Sequence, residues 1–230
     1  MNYIAYGVAL FISLILPILL SMLVSIKSKT YIKPIIVGVL TFLLFQVFSR
    51  IYIIQNVLST NVDFIRFTYQ FPIVYVFLLS VSAGLFEEIG RYIMMKYLLK
   101  TMNLKQALAF GLGHGGIEAI LFVGLTILMI DPNTMDVQST LLGGIERLSA
   151  MILHLGFSVL VYQMVFKSKK YHLVLSIMLH TLVNFGSVLL MMNQVNYWII
   201  EGLLALCAFG MILYIQSQRR MENETNTTVN

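Results

Sequence analysis

Charged residues are scarce in this sequence. Asp, Glu, Lys and Arg make up 11% of its 230 residues, whereas apolar residues make up 59%. A soluble domain carries roughly 25% charged residues and about 45–50% apolar ones, so a chain of this composition cannot cover a water-facing surface. The composition excludes a soluble enzyme, a disordered protein and a nucleic-acid-binding protein, and we expect no nucleic-acid partner.

Cysteine and proline are also rare. The single cysteine, Cys207, excludes an intramolecular disulfide and any CxxC metal site. Only four prolines are present, and this low number of helix breaks speaks against the interrupted helices that many transporters use. The HExxH pattern of common zinc proteases is absent as well. Any hydrolytic site must therefore be built from other residues.

Long apolar runs are the main feature that the chain does have. A run of about 20 apolar residues is long enough to cross a membrane as a helix, and seven such runs lie near residues 4–26, 35–58, 71–98, 104–130, 138–166, 172–192 and 196–216. The pattern predicts an all-α, polytopic transmembrane bundle. Residues 1–216 form a single integral-membrane domain in this interpretation, and the polar residues 217–230 form a short disordered tail in the cytoplasm.

The Lys and Arg residues predict how the bundle is oriented. Cytoplasmic loops carry an excess of basic residues, and eleven of the fifteen Lys and Arg residues lie in or beside alternate loops: Lys27, Lys29, Lys33, Lys96, Lys100, Lys105, Lys167, Lys169, Lys170, Arg219 and Arg220. This places the N-terminus outside and the C-terminus in the cytoplasm. We expect a multi-pass protein of the cell membrane, in contact with lipid, with the bacterial plasma membrane as its location.

Several ionisable or amide side chains interrupt the apolar spans. Each ionisable group costs about 2.5–3.5 kcal/mol at the centre of a membrane helix, so such groups usually serve a function. Counted from the lysine-rich ends of the predicted spans, the main ones lie roughly 12–18 Å deep at 1.5 Å per residue. They come from four different helices: Glu87 and Glu88, His114, His154, and His180 with Asn184.

Their spacing predicts that each helix presents these groups on one face. Three pairs stand four residues apart: Glu87 and Arg91, His114 and Glu118, and His180 and Asn184. A carboxylate and an imidazole that share one water form a general-base pair. His180 and Asn184 would offer two donors to a developing oxyanion, and Arg91 would orient Glu87. These groups favour the hydrolysis of an amide bond by an activated water.

A metal ion is a second possibility for the same side chains. His114, His154 and His180, with a glutamate, would satisfy the ligand preferences of Zn²⁺. The residues alone leave open whether the site works without a cofactor or with zinc.

These motifs resemble those of known membrane peptidases. Glu87-Glu88-x-x-Arg91, Phe110-x-x-x-His114 and His180-x-x-x-Asn184 are similar to the EExxxR, FxxxH and HxxxN motifs of the CAAX-protease and bacteriocin-processing group. The sequence EEIGR with GHGGIE and a further histidine-bearing helix more closely resembles the YhfC-type membrane peptidases, over about residues 1–216. The first motif is one residue shorter than EExxxR, and in this it is similar to the EExxK of PrsW-type proteases.

The resemblance implies roles for individual residues. Glu87 or Glu88 would activate water together with His114, and His180 and Asn184 would stabilise the oxyanion. Glu118 and His154 have no counterpart in the three short motifs, so we assign them supporting roles, as we do Arg91. The group is described both as glutamate proteases and as metalloproteases, so the resemblance leaves the metal open too.

The resulting prediction is an intramembrane endopeptidase that cleaves a peptide or a membrane-protein segment at a site open toward the cytoplasm. Two other classes stay possible at this stage: a proton-coupled transporter, because Glu and His chains also relay protons, and a non-catalytic scaffold or immunity protein on the same fold. Each polar residue also has a structural interpretation, such as an ion pair between Glu87 and Arg91 that only fixes helix packing. Convergence of the glutamates and histidines within about 4–6 Å around a cavity would favour the enzyme.

Overall fold

The computed structural model describes residues 2–227, with side chains described over residues 2–224. Within these residues the chain is helical and contains no strand. Seven of its helices are long and apolar enough to cross a membrane. The predicted class, an all-α bundle with seven candidate spans, is confirmed.

The helices follow one another along the chain with short connections. In chain order we name them α1 (Asn2–Lys27), α2 (Lys29–Thr60), α3 (Val62–Gln70), α4 (Pro72–Leu98), α5 (Leu104–Leu128), α6 (Val137–Phe166), α7 (Tyr171–Met192) and α8 (Tyr197–Thr227). The short helix α3 connects α2 to α4. We call the end of the bundle with the 27–29, 99–103 and 167–170 connections the lysine-rich end, and the end with the 129–136 and 193–196 connections the lysine-poor end.

The last helix corrects one prediction. Residues 217–227 were predicted to be part of a disordered tail, but α8 continues through them, and residues 228–230 lie outside the described part of the chain. Side-chain contacts with α6 explain the extension: Gln163 Nε2 donates to Gln218 Oε1 at 2.7 Å, and the Tyr162 hydroxyl donates to Glu222 Oε1 at 3.0 Å. The polar composition of the segment indicated disorder because these partners are distant in sequence.

Three spans contain π-helical segments, in which the backbone hydrogen bonds skip one extra residue. They cover Phe11–Ile15 in α1, Phe42–Ile51 in α2 and Ile120–Gly124 in α5. Such segments are rare and frequently occur at functional sites. The segment in α2 carries Gln46 and Arg50, which both line the cavity beside Glu87 that is described below.

Helix α5 lies at the centre of the bundle and packs against α2 and α6 most extensively. Glycines make this close approach possible, because small residues let membrane helices come together. An added β-carbon at Gly113 would overlap the carbonyl oxygen of Ile35, and one at Gly38 would overlap that of Phe110. The glycine cluster of α5 therefore brings His114 and Glu118 against both neighbouring helices.

Apolar packing is densest in the lysine-rich half of the bundle. One cluster of buried side chains fills the space between α2, α4, α5 and α6 there, consisting of Val37, Met94, Met95, Leu99, Leu104, Ala107, Phe110, Val159, Val161 and Tyr162. A smaller cluster on α6 and α8 includes Leu153, Phe157 and Met211. The polar site described next adjoins the first cluster on the side that faces the lysine-poor end.

Candidate active site

Glu87 on α4 is the carboxylate that contacts both predicted histidine partners. Its Oε2 lies 3.0 Å from Nε2 of His114 on α5, within hydrogen-bond range. Its Oε1 lies 3.9 Å from Nε2 of His180 on α7. The side chain is buried, yet it lines a cavity. Three helices thus bring an acid and two imidazoles to one point.

Glu88, the neighbouring residue, faces a different set of partners. Its Oε2 accepts a hydrogen bond from the Ser176 hydroxyl at 2.6 Å, and its Oε1 lies 2.8 Å from Nδ1 of His180. Arg91 Nε is 3.2 Å from the same Oε1. An ionised carboxylate only accepts hydrogen bonds, so Nδ1 of His180 donates to Glu88. Nε2 of His180 is then the ring atom that faces Glu87.

Arg91 joins α4 to α6 and is completely buried. Its Nη1 donates to the Ser158 hydroxyl at 2.7 Å and to the His154 carbonyl at 3.2 Å. Its Nη2 lies 2.6 Å from Nδ1 of His154 and 3.7 Å from Glu87 Oε2. Because a guanidinium only donates, Nδ1 of His154 is an acceptor, and the proton of a neutral His154 ring resides on Nε2.

Glu118 connects His154 to an arginine on α6. Its Oε2 lies 2.6 Å from Nε2 of His154, and its Oε1 accepts from Arg147 Nη1 at 2.9 Å. Arg147 also donates to both carboxylate oxygens of Glu146, from Nε and from Nη2. Arg147 thus holds two carboxylates, Glu146 on its own helix and Glu118 on α5.

Close helix contact positions His154, and an aromatic ring positions His180. An added β-carbon at Gly115 would lie 2.9 Å from Cβ of His154, so the glycine lets α5 and α6 approach at this level. The His180 ring stacks on Phe157 with centroids 5.0 Å apart. Nδ1 of His114 is buried without a hydrogen-bond partner among the described residues, which leaves one polar ring atom available.

A cavity of about 380 Å³ lies beside these groups. The residues that line it include Glu87, Glu118, His154, His180 and Asn184. The lining residues do not include Glu88, Arg91 or His114. These three side chains lie behind the cavity wall and contact the residues that form it. The volume is within the range of about 300–1,000 Å³ that is typical of ligand pockets.

The structure brings together nearly all of the residues that the sequence singled out. The predicted catalytic and supporting residues that converge by direct contacts are Glu87, Glu88, His114, His180, Arg91, Glu118 and His154, and Asn184 joins them on the cavity wall. Sequence reasoning missed Ser158 and Ser176, which bond Arg91 and Glu88. Serine is too common in membrane helices for these positions to be recognised without the fold.

A metal ion fits one part of this site. One ligand atom from each of Glu87, His114, Glu118 and His154 lies within 4.8 Å of the others, and imidazoles and carboxylates are ligands of zinc. Nδ1 of His114 is a buried nitrogen without a hydrogen-bond partner among the described side chains, so one ligand atom is left free. The group contains two of the three predicted metal ligands. The third, His180, lies outside it because its Nδ1 is engaged by Glu88.

Fold and site together define a polytopic membrane protein with a buried centre of carboxylates and imidazoles. The sequence matches the family of YhfC intramembrane metalloproteases over residues 12–131 and 127–204, and the chain belongs to this family. It is 31% identical over 242 residues to the uncharacterized membrane protein YhfC of Bacillus subtilis (strain 168), an alignment that covers 91% of this chain and 93% of that relative. No solved structure shows a significant match.

Proposed function

We propose that this protein hydrolyses peptide bonds within the membrane, at a site centred on Glu87. The observation that carries the proposal is the position of that carboxylate: it lies at the wall of a cavity, 3.0 Å from one imidazole and 3.9 Å from a second. A general base must reach its proton within hydrogen-bond distance or through one water. Glu87 Oε1, which faces His180 and the cavity, meets this condition.

The contacts favour Glu87 over Glu88 as the base. Glu88 is fully buried and engaged by Ser176, His180 and Arg91, so no side of it is left for a water. Glu88 acts instead as a positioning residue, because its bond to Nδ1 turns Nε2 of His180 toward Glu87. In this proposal the two adjacent glutamates therefore have different roles.

The remaining groups divide between proton transfer and charge stabilisation. His114 shares a proton with Glu87 Oε2 and holds that carboxylate in place. When protonated, His180 donates from Nε2 toward the cavity, and the amide of Asn184, one turn further along α7, adds a second donor. Preorganised donors of this kind stabilise the oxyanion of an acyl-transfer reaction and are worth about 10²–10³-fold in rate each.

Zinc is the cofactor that this ligand set would take. In a zinc-bound form Glu87 would be a ligand in place of its role as the base: Glu87, His114 and Glu118 would hold the ion, and His154, whose Nε2 carries its proton, would orient Glu118. When bound, the ion would supply polarisation of the attacking water and of the substrate carbonyl. The residues around it bind and orient the substrate and exclude bulk water.

The test is the appearance of new protein N-termini in membranes of bacterial cells that express the chain, measured by mass spectrometry. We expect the wild type to produce a defined set, and Glu87→Gln and His114→Ala to reduce it by at least about 100-fold. Asp63→Asn, which changes an exposed carboxylate on α3, is the matched control and should cleave normally. Undiminished cleavage by Glu87→Gln contradicts the proposal, and absence of any new N-terminus with the wild type favours a non-catalytic scaffold.

Removal of metal ions tests whether cleavage requires a bound zinc ion. The same assay with 1,10-phenanthroline should abolish cleavage by the wild type, and added Zn²⁺ should restore it. Cleavage that survives the chelator would show that Glu87 and His114 activate water unaided. The proposed substrates are peptides or membrane-protein segments, and the proposed location is the bacterial plasma membrane.

A further inference from the structure

The cavity at Glu87 is elongated and runs toward one end of the bundle. On α7 its wall continues from His180 through Ser187 to Met191, at the end of the helix. On α6 it runs from Phe157 back to Glu146, again toward the lysine-poor end. Both walls lead away from the lysine-rich loops.

A second cavity of about 600 Å³ continues the first. Four residues line both of them: Glu146, Ser187, Met191 and Leu204. The second cavity, which we call the vestibule, reaches Asp136 and Ser139 at the start of α6 and Tyr197 at the start of α8. These positions are at the lysine-poor end, so the two cavities form one route between Glu87 and that surface.

The opposite direction is closed by packed side chains. Immediately beyond Arg91, His114 and Ser158, on the side of the lysine-rich loops, lie Met94 and Met95 of α4, Phe110 of α5 and Tyr162 of α6. Met95, Phe110 and Tyr162 are at most 1% exposed. A polar substrate backbone cannot pass such a core without losing its hydrogen bonds. Apolar side chains thus fill the space between the site and the lysine-rich loops, the side on which the sequence predicts an opening toward the cytoplasm.

We infer that water and substrate reach Glu87 from the lysine-poor end through the vestibule. The inference rests on the proposed function for the identity of the substrate: a polypeptide segment whose scissile bond lies on that side of the membrane. With the basic loops in the cytoplasm, that side is the outer face. The substrates are then membrane-anchored polypeptides cleaved in or next to the outer leaflet.

The charges that line the vestibule restrict which polypeptide segments can enter it as substrates. Its charged lining residues are the carboxylates Asp136, Glu146 and Glu201, and Oε2 of Glu201 is buried without a hydrogen-bond partner among the described residues. The neighbouring Arg147 is directed at Glu118 and Glu146. Like charges repel strongly at such a site, so the route admits neutral or basic segments and disfavours acidic ones.

Cysteine labelling tests the route without any substrate. In a Cys207→Ser background, single cysteines replace Ser139 in the vestibule and Ser187 at the junction of the cavities. Gln70→Cys and Lys100→Cys mark the two ends of the bundle, and Ala107→Cys marks the closed half. The probe is a membrane-impermeant methanethiosulfonate, applied to intact cells and to inside-out vesicles.

We expect Ser139→Cys and Ser187→Cys to react from the same side as Gln70→Cys, and Ala107→Cys to react from neither. Reaction of Ser187→Cys from the side of Lys100→Cys, or from neither side, would overturn the inference. Adding Glu87→Gln to the Ser187→Cys chain should leave labelling within about twofold while cleavage is lost.

The cleavage positions separate this inference from the proposed function. If the wild type cleaves, the new N-termini should map to the outer half of substrate spans, and cuts in the cytoplasmic half would contradict the substrate class. Labelling from the lysine-poor side in a protein that produces no new N-termini would contradict the proposed function and leave the route standing.

Discussion

At the scale of single residues, the arrangement of the site depends on Arg91, which contacts side chains on two helices. Arg91 contacts Glu87 and Glu88 on its own helix and Ser158 and His154 on α6. Removing one partner of a buried ion pair leaves an uncompensated charge, which is more costly than losing an exposed pair. Arg91 therefore has both a structural role and a role in orienting the two glutamates.

Substitution of two arginines, one in a buried ion pair and one in an exposed ion pair, tests the structural role of Arg91. Arg91 and Glu88 form a buried i,i+3 pair, whereas Arg66 and Asp63 form an exposed i,i+3 pair. We expect Arg91→Gln to lower the free energy of unfolding by about 3–5 kcal/mol and Arg66→Gln by less than about 1 kcal/mol. Thermal unfolding in detergent measures both. Equal effects would show that Arg91 contributes no more than a surface charge.

Metal content distinguishes the histidines. We expect the purified wild type to bind zinc in an equimolar amount, His114→Ala to lose it, and His180→Ala to keep it, because His114 belongs to the group of possible ligands with Glu87 and Glu118 and His180 does not. His154→Ala should weaken zinc binding by about 10–100-fold, the usual cost of losing a residue that orients a ligand. Elemental analysis after dialysis measures the stoichiometry. Zinc retained by His114→Ala but lost from His180→Ala would reverse the ligand assignment.

The sequence predicted the members of the site better than their roles. The four-residue spacings placed Glu87 with Arg91 and His114 with Glu118 on common faces, because helix geometry alone decides this. The different environments of Glu87 and Glu88 could not be predicted. They depend on Ser176 and His180, which α7 brings to Glu88 from about ninety residues further along the chain.

At the scale of elements, close packing of α5 on its neighbours controls the geometry. Gly113 allows α5 to contact the backbone of α2 at Ile35, Gly111 allows it to contact the backbone of α6 at His154, and Gly115 makes room for the His154 side chain. Hydropathy predicted both ends of α1 and of α4 to α7 closely, whereas α2 begins earlier, at Lys29, and α8 ends later, at Thr227, than the predicted spans. It could not predict the π-helical segments, because their hydrogen-bond register follows from packing between helices and leaves no trace in apolar content.

Glycine substitutions measure this packing. We expect Gly113→Ala to destabilise the protein by about 1–3 kcal/mol, since the new methyl group overlaps the Ile35 carbonyl and the helices must separate. Gly186→Ala on α7, which meets nothing within 4 Å, is the control and should be neutral or slightly stabilising. Thermal unfolding measures both. A neutral Gly113→Ala would show that α2 and α5 can move apart freely.

The start of α6 has a pH-dependent cap. Asp136 accepts hydrogen bonds from the Ser139 hydroxyl and from the Ser139 backbone N–H, and these bonds hold the pKa of the exposed Asp136 carboxyl below its usual value of 3.8. A lowered pKa in the folded state gives stability that is present above pH 3.8 and is lost as the pH falls through the folded-state value. We expect hydrogen exchange in the first turn of α6 to accelerate on acidification. Asp136→Asn, which keeps a capping oxygen, should remove that pH dependence, and an unchanged profile would contradict the role of the cap.

At the scale of the whole molecule, the bundle is divided into a closed half and an open half. On the lysine-rich side of the site an apolar cluster fills the space between α2, α4, α5 and α6, and the two cavities that lead to Glu87 lie on the other side. The composition predicted a membrane protein and could not predict this division, since apolar residues are abundant at both ends. Access from one side is what the proposed protease needs, whereas a transporter must also open to the other side during its cycle.

Ion flux tests this distinction. We expect proteoliposomes that contain the wild type to dissipate an imposed pH gradient no faster than those with Glu87→Gln, because the core around Phe110 and Tyr162 interrupts any polar path. A pH-sensitive dye trapped in the liposomes reports the rate, with gramicidin as the positive control. Faster dissipation by the wild type would favour the proton-coupled transporter.

The distribution of counter-charges has a consequence for how the chain enters the membrane during synthesis. Helix α4 brings Glu88 together with Arg91, three residues later, so it carries a neutralising partner of its own. Helix α5 brings Glu118 without one: its partner Arg147 belongs to α6 and is synthesised 29 residues later. Because α5 is synthesised before the arginine that pairs with Glu118, we expect α5 and α6 to enter the lipid together as a helical hairpin.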